Sequence, residues 1–279
     1  MDYGQPVRFG VFITPEATER PLQQAAIADD LGFDVIGVQD HPYQRRFYDT
    51  MTLLTAMAMR TERITLFPDV ANLPLRPPAM LAKAAATLDI LSGGRLELGL
   101  GAGGFWDAIK AWDGPARTAG ESVSALEEAI QVIRLLWSGQ HGIKFEGKYY
   151  RLAGAHSGPL PAHPIGIWLG AYRPRMLSIV GRLADGWVPS YGYVKAPDLL
   201  EGNRRIDAAA TAAGRDPRSI RRVLNAGQLE ADELVSLVVD HGMDTFLVTD
   251  DPDEMRRYAR DVVPRVREQV ESHRSRQSH

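Results

Sequence analysis

The chain alternates short apolar runs, rich in β-branched residues, with longer segments in which apolar residues recur every three or four positions. The short runs predict β-strands and the longer segments predict amphipathic helices, and eight such strand–helix units follow one another. The predicted strands are Val7–Ile13, Val35–Gln39, Ile64–Phe67, Leu96–Leu100, Ile165–Leu169, Gly186–Pro189, Ile220–Leu224 and Thr245–Val248. The predicted helices are Pro21–Leu31, Thr50–Met59, Pro78–Leu91, Ser122–Trp137, Pro174–Leu183, Ala196–Ala213, Asp232–His241 and Pro252–Val263.

Strands that are apolar nearly throughout are typical of a parallel α/β sheet that is covered by helices on both faces. Eight units fit a closed (β/α)8 barrel of the TIM type, which takes about 250 residues. An open doubly wound sheet has the same local pattern, but nothing in the sequence marks a domain break or a reversal of strand order. We therefore predict a single barrel domain over residues 1–279, with a hairpin insertion at Gly142–Leu152 and a polar tail, Arg265–His279, that partly frays.

Composition narrows the classes of function. The absence of cysteine excludes disulfides, thiolate metal sites and cysteine nucleophiles, and it makes a cytoplasmic protein the expectation. A formal net charge of −3 provides no basic field for nucleic acid. The longest stretch without a charged residue, Leu152–Tyr172, contains three prolines and two histidines, so no membrane helix is expected. The seven histidines include no pair at i, i+4, so no metal site is expected.

In a parallel barrel the active site lies at the carboxyl ends of the strands, and two candidate segments follow strands two and three. Gln39-Asp40-His41 places an imidazole beside a carboxylate, which suits acid–base chemistry, although a structural histidine in a turn fits equally well. The strand that begins at Ile64 breaks at Pro68, and the polar residues Asp69 and Asn72 follow. This pattern predicts either a bulge that aims polar groups toward a ligand or an ordinary proline-rich loop.

Two further segments follow strands four and five. Gly99–Gly104 matches G-x-G-x-x-G, but the loop Phe105–Gly120 separates it from the next predicted helix. A dinucleotide fingerprint leads directly into a helix, so we interpret this segment as bare backbone against which a flat ring can lie. Gly170–Arg175 opens a helix and contains two arginines. This arrangement favours a phosphate site over a helix end with solvated arginines.

Several segments together are more specific than any of these motifs alone. They are Val35–His41, Asn72–Pro78, Ala86–Gly103 with the sequence ATLDILSGGRLELGLGAG, Glu127–Trp137 and Leu183–Trp187. They resemble the bacterial luciferase-like family of flavin- and F420-dependent oxidoreductases, which fold as TIM-type barrels, and the resemblance runs over nearly the whole chain. Asp-His after the second strand is typical of the branch that uses coenzyme F420, whereas the FMN branch more often has Glu-His-His there.

The resemblance implies roles for residues of the four segments. Asp40 would hold the edge of the cofactor ring and His41 would transfer the proton, so both are candidate catalytic residues. The family's bulge contains a non-prolyl cis peptide, and matching the motif that follows it places this bond between Asp69 and Val70, behind the ring. The other cofactor-binding residues implied are Asn72, Gly101, Ala102, Gly103, Gly170, Ala171, Tyr172 and Arg173, of which the last four would receive the phosphate.

The sequence departs from the family in two places. F420-using relatives often carry a catalytic glutamate at the position of Gly104, and the nearest acid here is Asp107. The segment Asn225–Ala231 is short where the family often has a longer insertion, so we expect a barrel with a shortened C-terminal insertion and a more open mouth.

The resemblance implies F420-dependent hydride transfer to or from a small organic substrate. FMN-dependent monooxygenation and a non-catalytic flavin-binding barrel remain alternatives. An aldolase or sugar-phosphate isomerase barrel is disfavoured because only Lys195 approaches a strand end. A homodimer would be usual for the family. We expect an apolar to aromatic lining of the pocket from Trp106, Trp112, Tyr172, Trp187, Tyr191 and Tyr193.

Overall fold

The computed structural model describes residues 1–277 and contains the parallel barrel that the sequence predicts. The strands of the barrel are β1 (Arg8–Ile13), β2 (Val35–Val38), β3 (Thr65–Pro68), β4 (Ala71–Asn72), β5 (Leu98–Gly101), β8 (Ile167–Leu169), β9 (Gly186–Trp187), β10 (Arg221–Gly227) and β11 (Thr245–Val248). Two further strands, β6 (Ile143–Glu146) and β7 (Arg151–Ala155), form an antiparallel hairpin outside the barrel. The predicted hairpin insertion is therefore confirmed.

The barrel closes through its third strand, which is divided into two parts. β3 pairs with β2, and β4 pairs with β5, in both cases in parallel. Between the two parts lies the peptide bond that joins Asp69 and Val70, and this bond is cis. The sheet order β3-β2-β1-β11-β10-β9-β8-β5-β4 therefore begins and ends at the same strand position, which gives the eight positions of the predicted barrel.

The helices surround the barrel, and sequence signals account for several of their ends. They are α1 (Pro21–Asp30), α2 (Thr50–Ala58), α3 (Pro78–Ser92), α4 (Trp106–Ala111), α5 (Ala119–Leu136), α6 (Pro174–Leu183), α7 (Ala196–Ala212), α8 (Ala231–Val239), α9 (Pro252–Arg257) and α10 (Val263–Gln277). Proline stands at the start of α3 and α6, and Gly93 ends α3 with a φ of 71°. Thr118 and Glu121 form a capping box, so α5 begins before the predicted Ser122. None of the helices in residues 1–277 is long and apolar enough to cross a membrane.

Large apolar side chains fill the inside of the barrel. This cluster consists of Val35, Phe67, Trp168, Val188, Val223 and Leu247, and the rings of Phe67 and Trp168 lie 4.9 Å apart between centroids. Phe12 and Val70 pack on the cluster and also line the cavity at the strand ends. The packed interior therefore forms the floor of the site.

Two segments that the sequence predicts to be irregular contain helix. In the tail from Arg265 onward, α10 continues to Gln277 and buries Val266 and Val270, and the partial fraying of this tail stays a prediction. Residues 278 and 279 lie outside the described part. The loop predicted between the glycines and α5 contains the short helix α4, which begins at Trp106 and buries Ile109.

Candidate active site

A cavity of about 900 Å³ opens at the carboxyl ends of the barrel strands. Its volume lies in the range of ligand pockets, about 300–1,000 Å³. Residues from β1, β4, β5 and β10 line it, together with residues that directly follow β2, β8 and β9. This position is the one expected for the active site of a parallel barrel. Within residues 1–277, no group of three or more histidine or acidic side chains is arranged to hold a metal ion.

The cavity brings together nearly all of the predicted site residues. Those that line it are Asp40, His41, Asp69, Val70, Asn72, Gly101, Ala102, Gly103, Gly170, Tyr172 and Arg173. Ala171 does not line it: this residue is 1% exposed, and its carbonyl accepts a hydrogen bond of 2.8 Å from Trp187 Nε1. Ala171 therefore packs behind the residues that line the cavity.

Asp40 is engaged by protein groups on both carboxylate oxygens. Arg76 donates to both of them through Nε and Nη2, each at 2.7 Å, and the backbone N–H of Asn72 donates at 2.8 Å. The same guanidinium also contacts Asp49 at 2.6 Å. The Asp40 side chain is 1% exposed. These bonds tie the end of β2 to the segment after the cis peptide, so Asp40 shapes the rim of the cavity.

His41 lies in a small aromatic group beside Asp40. Its Nδ1 is 2.5 Å from the hydroxyl of Tyr43, and its ring meets the edge of Phe105 at 5.2 Å between centroids. Burial lowers the pKa of His41, and the charge of Asp40 opposes this effect only in part. Burial also raises the pKa of Tyr43 to about 12, so its hydroxyl stays protonated. Near pH 7 the imidazole is therefore neutral and able to accept a proton.

The cis peptide directs two side chains into different parts of the cavity floor. A Cβ added to Gly101 would lie 2.8 Å from Val70 Cγ2, and one added to Gly170 would lie 3.1 Å from the same atom. Val70 thus occupies the space that side chains at the end of β5 and directly after β8 would need. Asp69 instead points toward β2, where a Cβ on Gly37 would lie 2.9 Å from its Oδ2. The predicted cis bond between Asp69 and Val70 is confirmed.

Asp69 is a buried acid on this floor. Burial raises its pKa to about 7, although an interaction with Asn225 partly opposes the shift. Its Oδ2 and the Oδ1 atoms of Asn72 and Asn225 are buried without a hydrogen-bond partner among the described residues. Buried polar atoms are normally paired, so these oxygens are candidates to contact a bound molecule.

The start of α6 forms the polar end of the cavity. Arg173 directly precedes the helix and lines the cavity, and it forms no ion pair with the residues that the structure describes. The second predicted arginine, Arg175, points elsewhere: it donates to the Gly120 carbonyl at 3.0 Å and to Ser124 Oγ at 2.8 Å. The segment that the sequence predicts to receive a phosphate therefore brings one arginine and the N-terminus of α6 to the cavity.

The aromatic lining differs from the prediction. Trp106, Tyr172 and Tyr193 line the cavity, but Trp112, Trp187 and Tyr191 do not. Trp112 is 56% exposed and Trp187 is 1% exposed, whereas the Tyr191 hydroxyl donates to Glu233.

Sequence reasoning missed several lining residues, among them Tyr43, Phe105, Ser190 and Asn225. Ser190 and Asn225 are polar residues at or just after strand ends, and that signal could have identified them.

The fold and the site define a parallel barrel with a ligand pocket at the strand mouths. A family model described as luciferase-like monooxygenase matches residues 6–277, so the chain belongs to that family. The resemblance inferred from the sequence segments is thereby confirmed.

The comparisons also identify individual relatives. The chain is 32% identical over 213 residues to a 5,10-methylenetetrahydromethanopterin reductase of Archaeoglobus fulgidus, and the alignment covers 75% of this chain and 60% of that protein. It is 29% identical over 295 residues to an F420-dependent glucose-6-phosphate dehydrogenase of Nakamurella multipartita, and this alignment covers 89% of this chain and 85% of that protein. The structure of an F420-dependent secondary alcohol dehydrogenase in complex with an F420-acetone adduct superposes with a TM-score of 0.84 at 17% identity, covering 94% and 99% of the two chains. At that identity the structural likeness shows the fold.

Proposed function

We propose that the protein is an F420-dependent oxidoreductase that exchanges a hydride with a small organic substrate. The observation that carries this proposal is the single cavity that joins the Asp-His pair, the cis peptide, the bare glycines and Arg173. F420-dependent relatives with similar sequences support the same cofactor. A cofactor of this type supplies the hydride chemistry when it is bound, and the protein supplies position, electrostatics and proton transfer.

The residues present fit a deazaflavin with a phosphate-bearing side chain. Val70 and Gly101 offer a close apolar surface against which a flat ring can lie. Asn72 Oδ1, buried and without a partner among the described residues, can accept a hydrogen bond from the ring. Arg173 and the first turn of α6 can hold a phosphate.

The roles of the Asp-His pair divide in this proposal. His41 is the proton-transfer residue, because it is neutral near pH 7 and lines the cavity. Asp40 is a positioning residue, because both of its oxygens already accept hydrogen bonds from Arg76 and Asn72. Any contact between Asp40 and the ring edge would be additional to those bonds.

The alternatives from the sequence have less support. An FMN-dependent monooxygenase would use the same cavity, but the named cofactor of the Nakamurella relative is F420. A non-catalytic binding barrel would not need a neutral imidazole in the cavity. A cytoplasmic location remains our proposal, since the chain has no cysteine to oxidise. The homodimer also stays a prediction, which light scattering would test.

Replacing Arg173 by alanine is expected to weaken F420 binding about tenfold, which corresponds to about 1.4 kcal/mol. The reason is the loss of a charge-assisted hydrogen bond to the phosphate at a partly solvated position. Fluorescence titration of the protein with F420 measures the dissociation constant. Arg175→Ala is the matched control, because Arg175 is bound to Gly120 and Ser124 instead. Equal effects of the two substitutions would contradict the phosphate assignment.

A further inference from the structure

Four glycines line the cavity, and the packing of the protein itself accounts for three of them. A Cβ added to Gly101 would lie 2.8 Å from Val70 Cγ2, and one added to Gly170 would lie 3.1 Å from the same atom. A Cβ added to Gly103 would lie 2.7 Å from Pro74 Cγ, and Gly103 also has a φ of 101°. Because folded proteins are densely packed, a side chain at any of these three positions would displace its neighbours.

Gly104, the fourth of these glycines, is not required by the fold. Its φ does not lie in the left-handed region. A Cβ added there would meet no atom of the described residues within 4 Å, apart from those of its two chain neighbours. The missing side chain therefore leaves open space, and since Gly104 lines the cavity, this space is available to a bound molecule.

An exposed aromatic ring stands directly beside Gly104. Phe105 lines the cavity and is 61% exposed. Its ring lies 5.2 Å from that of His41 and 6.1 Å from that of Tyr43, measured between centroids. An apolar or aromatic group that covers Phe105 would gain from leaving water and from ring–ring contact. Such a group would lie next to His41, and we name Gly104, Phe105 and His41 the Gly104 subsite.

The charges around the Gly104 subsite disfavour an anionic group. The basic residues among the described lining residues are His41 and Arg173. Burial keeps His41 neutral near pH 7, and Arg173 engages the cofactor phosphate in the proposed function. Arg76 lies behind the lining and is already paired with Asp40 and Asp49. An anion placed against Phe105 would therefore lose water without gaining a compensating charge.

We propose that the Gly104 subsite binds a flat, uncharged and apolar part of the substrate, and that Gly104 is a specificity-determining residue because a side chain there would fill the space. This inference rests on the proposed function. The substrate class is then a neutral compound with an aromatic or conjugated ring, which lies against Phe105 beside the proton-transfer residue His41.

Saturation-transfer NMR titrations of F420-loaded protein at pH 7 test this substrate class with three probes of similar size. Benzamide is flat and neutral, cyclohexanecarboxamide is neutral but not flat, and benzoate is flat but anionic. Benzamide is expected to bind about fivefold more tightly than cyclohexanecarboxamide, because only the flat ring gains aromatic contact with Phe105. Benzoate is expected to bind more weakly than benzamide, because the described residues provide no free cation for it.

Two substitutions test the place of binding. Gly104→Leu is expected to weaken benzamide binding about tenfold, because the new side chain occupies the same space, while the dissociation constant of F420 changes little. Phe105→Ala should weaken benzamide about fivefold by removing the ring contact, and it provides the test if Gly104→Leu does not fold. Gly192→Leu is the matched control, because Gly192 also lacks a left-handed φ and has open space around its Cβ position, but it does not line the cavity.

The outcomes separate this inference from the proposed function. If F420 does not bind to wild type, the proposed function fails and the inference fails with it. If F420 binds, the inference alone is overturned when benzoate or cyclohexanecarboxamide binds as tightly as benzamide. It is also overturned when Gly104→Leu and Phe105→Ala bind benzamide as the control does. A loss of F420 affinity in Gly104→Leu that matches the loss for benzamide would overturn it as well, since the space would then belong to the cofactor.

Discussion

Replacing Arg76 by alanine is expected to lower the free energy of unfolding by about 3–5 kcal/mol, because it leaves a buried carboxylate without its cation. The Asp40 side chain is 1% exposed and that of Arg76 is 16% exposed, and two hydrogen bonds of 2.7 Å join them. The same change releases Asp49 at the start of α2. Urea unfolding monitored by circular dichroism measures the effect.

Arg46→Ala provides the matched control for this prediction. Arg46 also forms an ion pair, with Glu16, but its side chain is 70% exposed, so its removal should cost no more than about 1 kcal/mol. Asp40→Asn in the Arg76→Ala background should recover part of the stability, since it removes the uncompensated charge. Equal losses for Arg76→Ala and Arg46→Ala would contradict the view that Arg76 fixes the rim of the site.

Replacing His41 by asparagine is expected to slow turnover by about 10²- to 10⁴-fold while the dissociation constant of F420 changes little. This range is typical for the removal of a positioned acid or base. Burial lowers the pKa of His41, so in wild type the neutral imidazole persists below the ordinary value near 6.5. In the direction that uses it as a base, kcat should fall only when pH drops below that value. Steady-state kinetics across pH 5–9 would show this limb in wild type and not in the variant.

Tyr43→Phe serves as the control for His41. It removes the hydroxyl that contacts His41 Nδ1 but keeps the imidazole and the aromatic packing with Phe105. We expect a much smaller decrease in kcat. Turnover of His41→Asn that equals wild type at every pH would reduce His41 to a structural residue.

The barrel was predictable from the sequence because buried parallel strands are short and apolar throughout. The cis bond was located by the family resemblance, since the strand pattern around Pro68 predicts only a break. The sequence also contains a signal for the helical tail, because Val263, Val266 and Val270 recur at spacings of three and four on the buried face of α10. Because many charged residues lie between them, the sequence analysis predicted a polar tail there and no helix.

The side-chain chemistry of the site was harder to predict. The partner of Asp40 is Arg76, 36 residues away, and only the closed third strand brings the two together. Ala171 and Tyr172 are neighbours in sequence, yet one faces the barrel wall and the other the cavity. The raised pKa of Asp69 results from burial against β2 and β10, which no local motif encodes.

Parallel titrations of the wild-type protein with F420 and FMN test the central claim most directly. We predict that F420 binds with a dissociation constant below about 100 μM, or about −5.5 kcal/mol, and more tightly than FMN. Failure of both molecules to bind at that concentration would contradict the assignment of the cavity as a cofactor site. Tighter binding of FMN would contradict the assignment to F420.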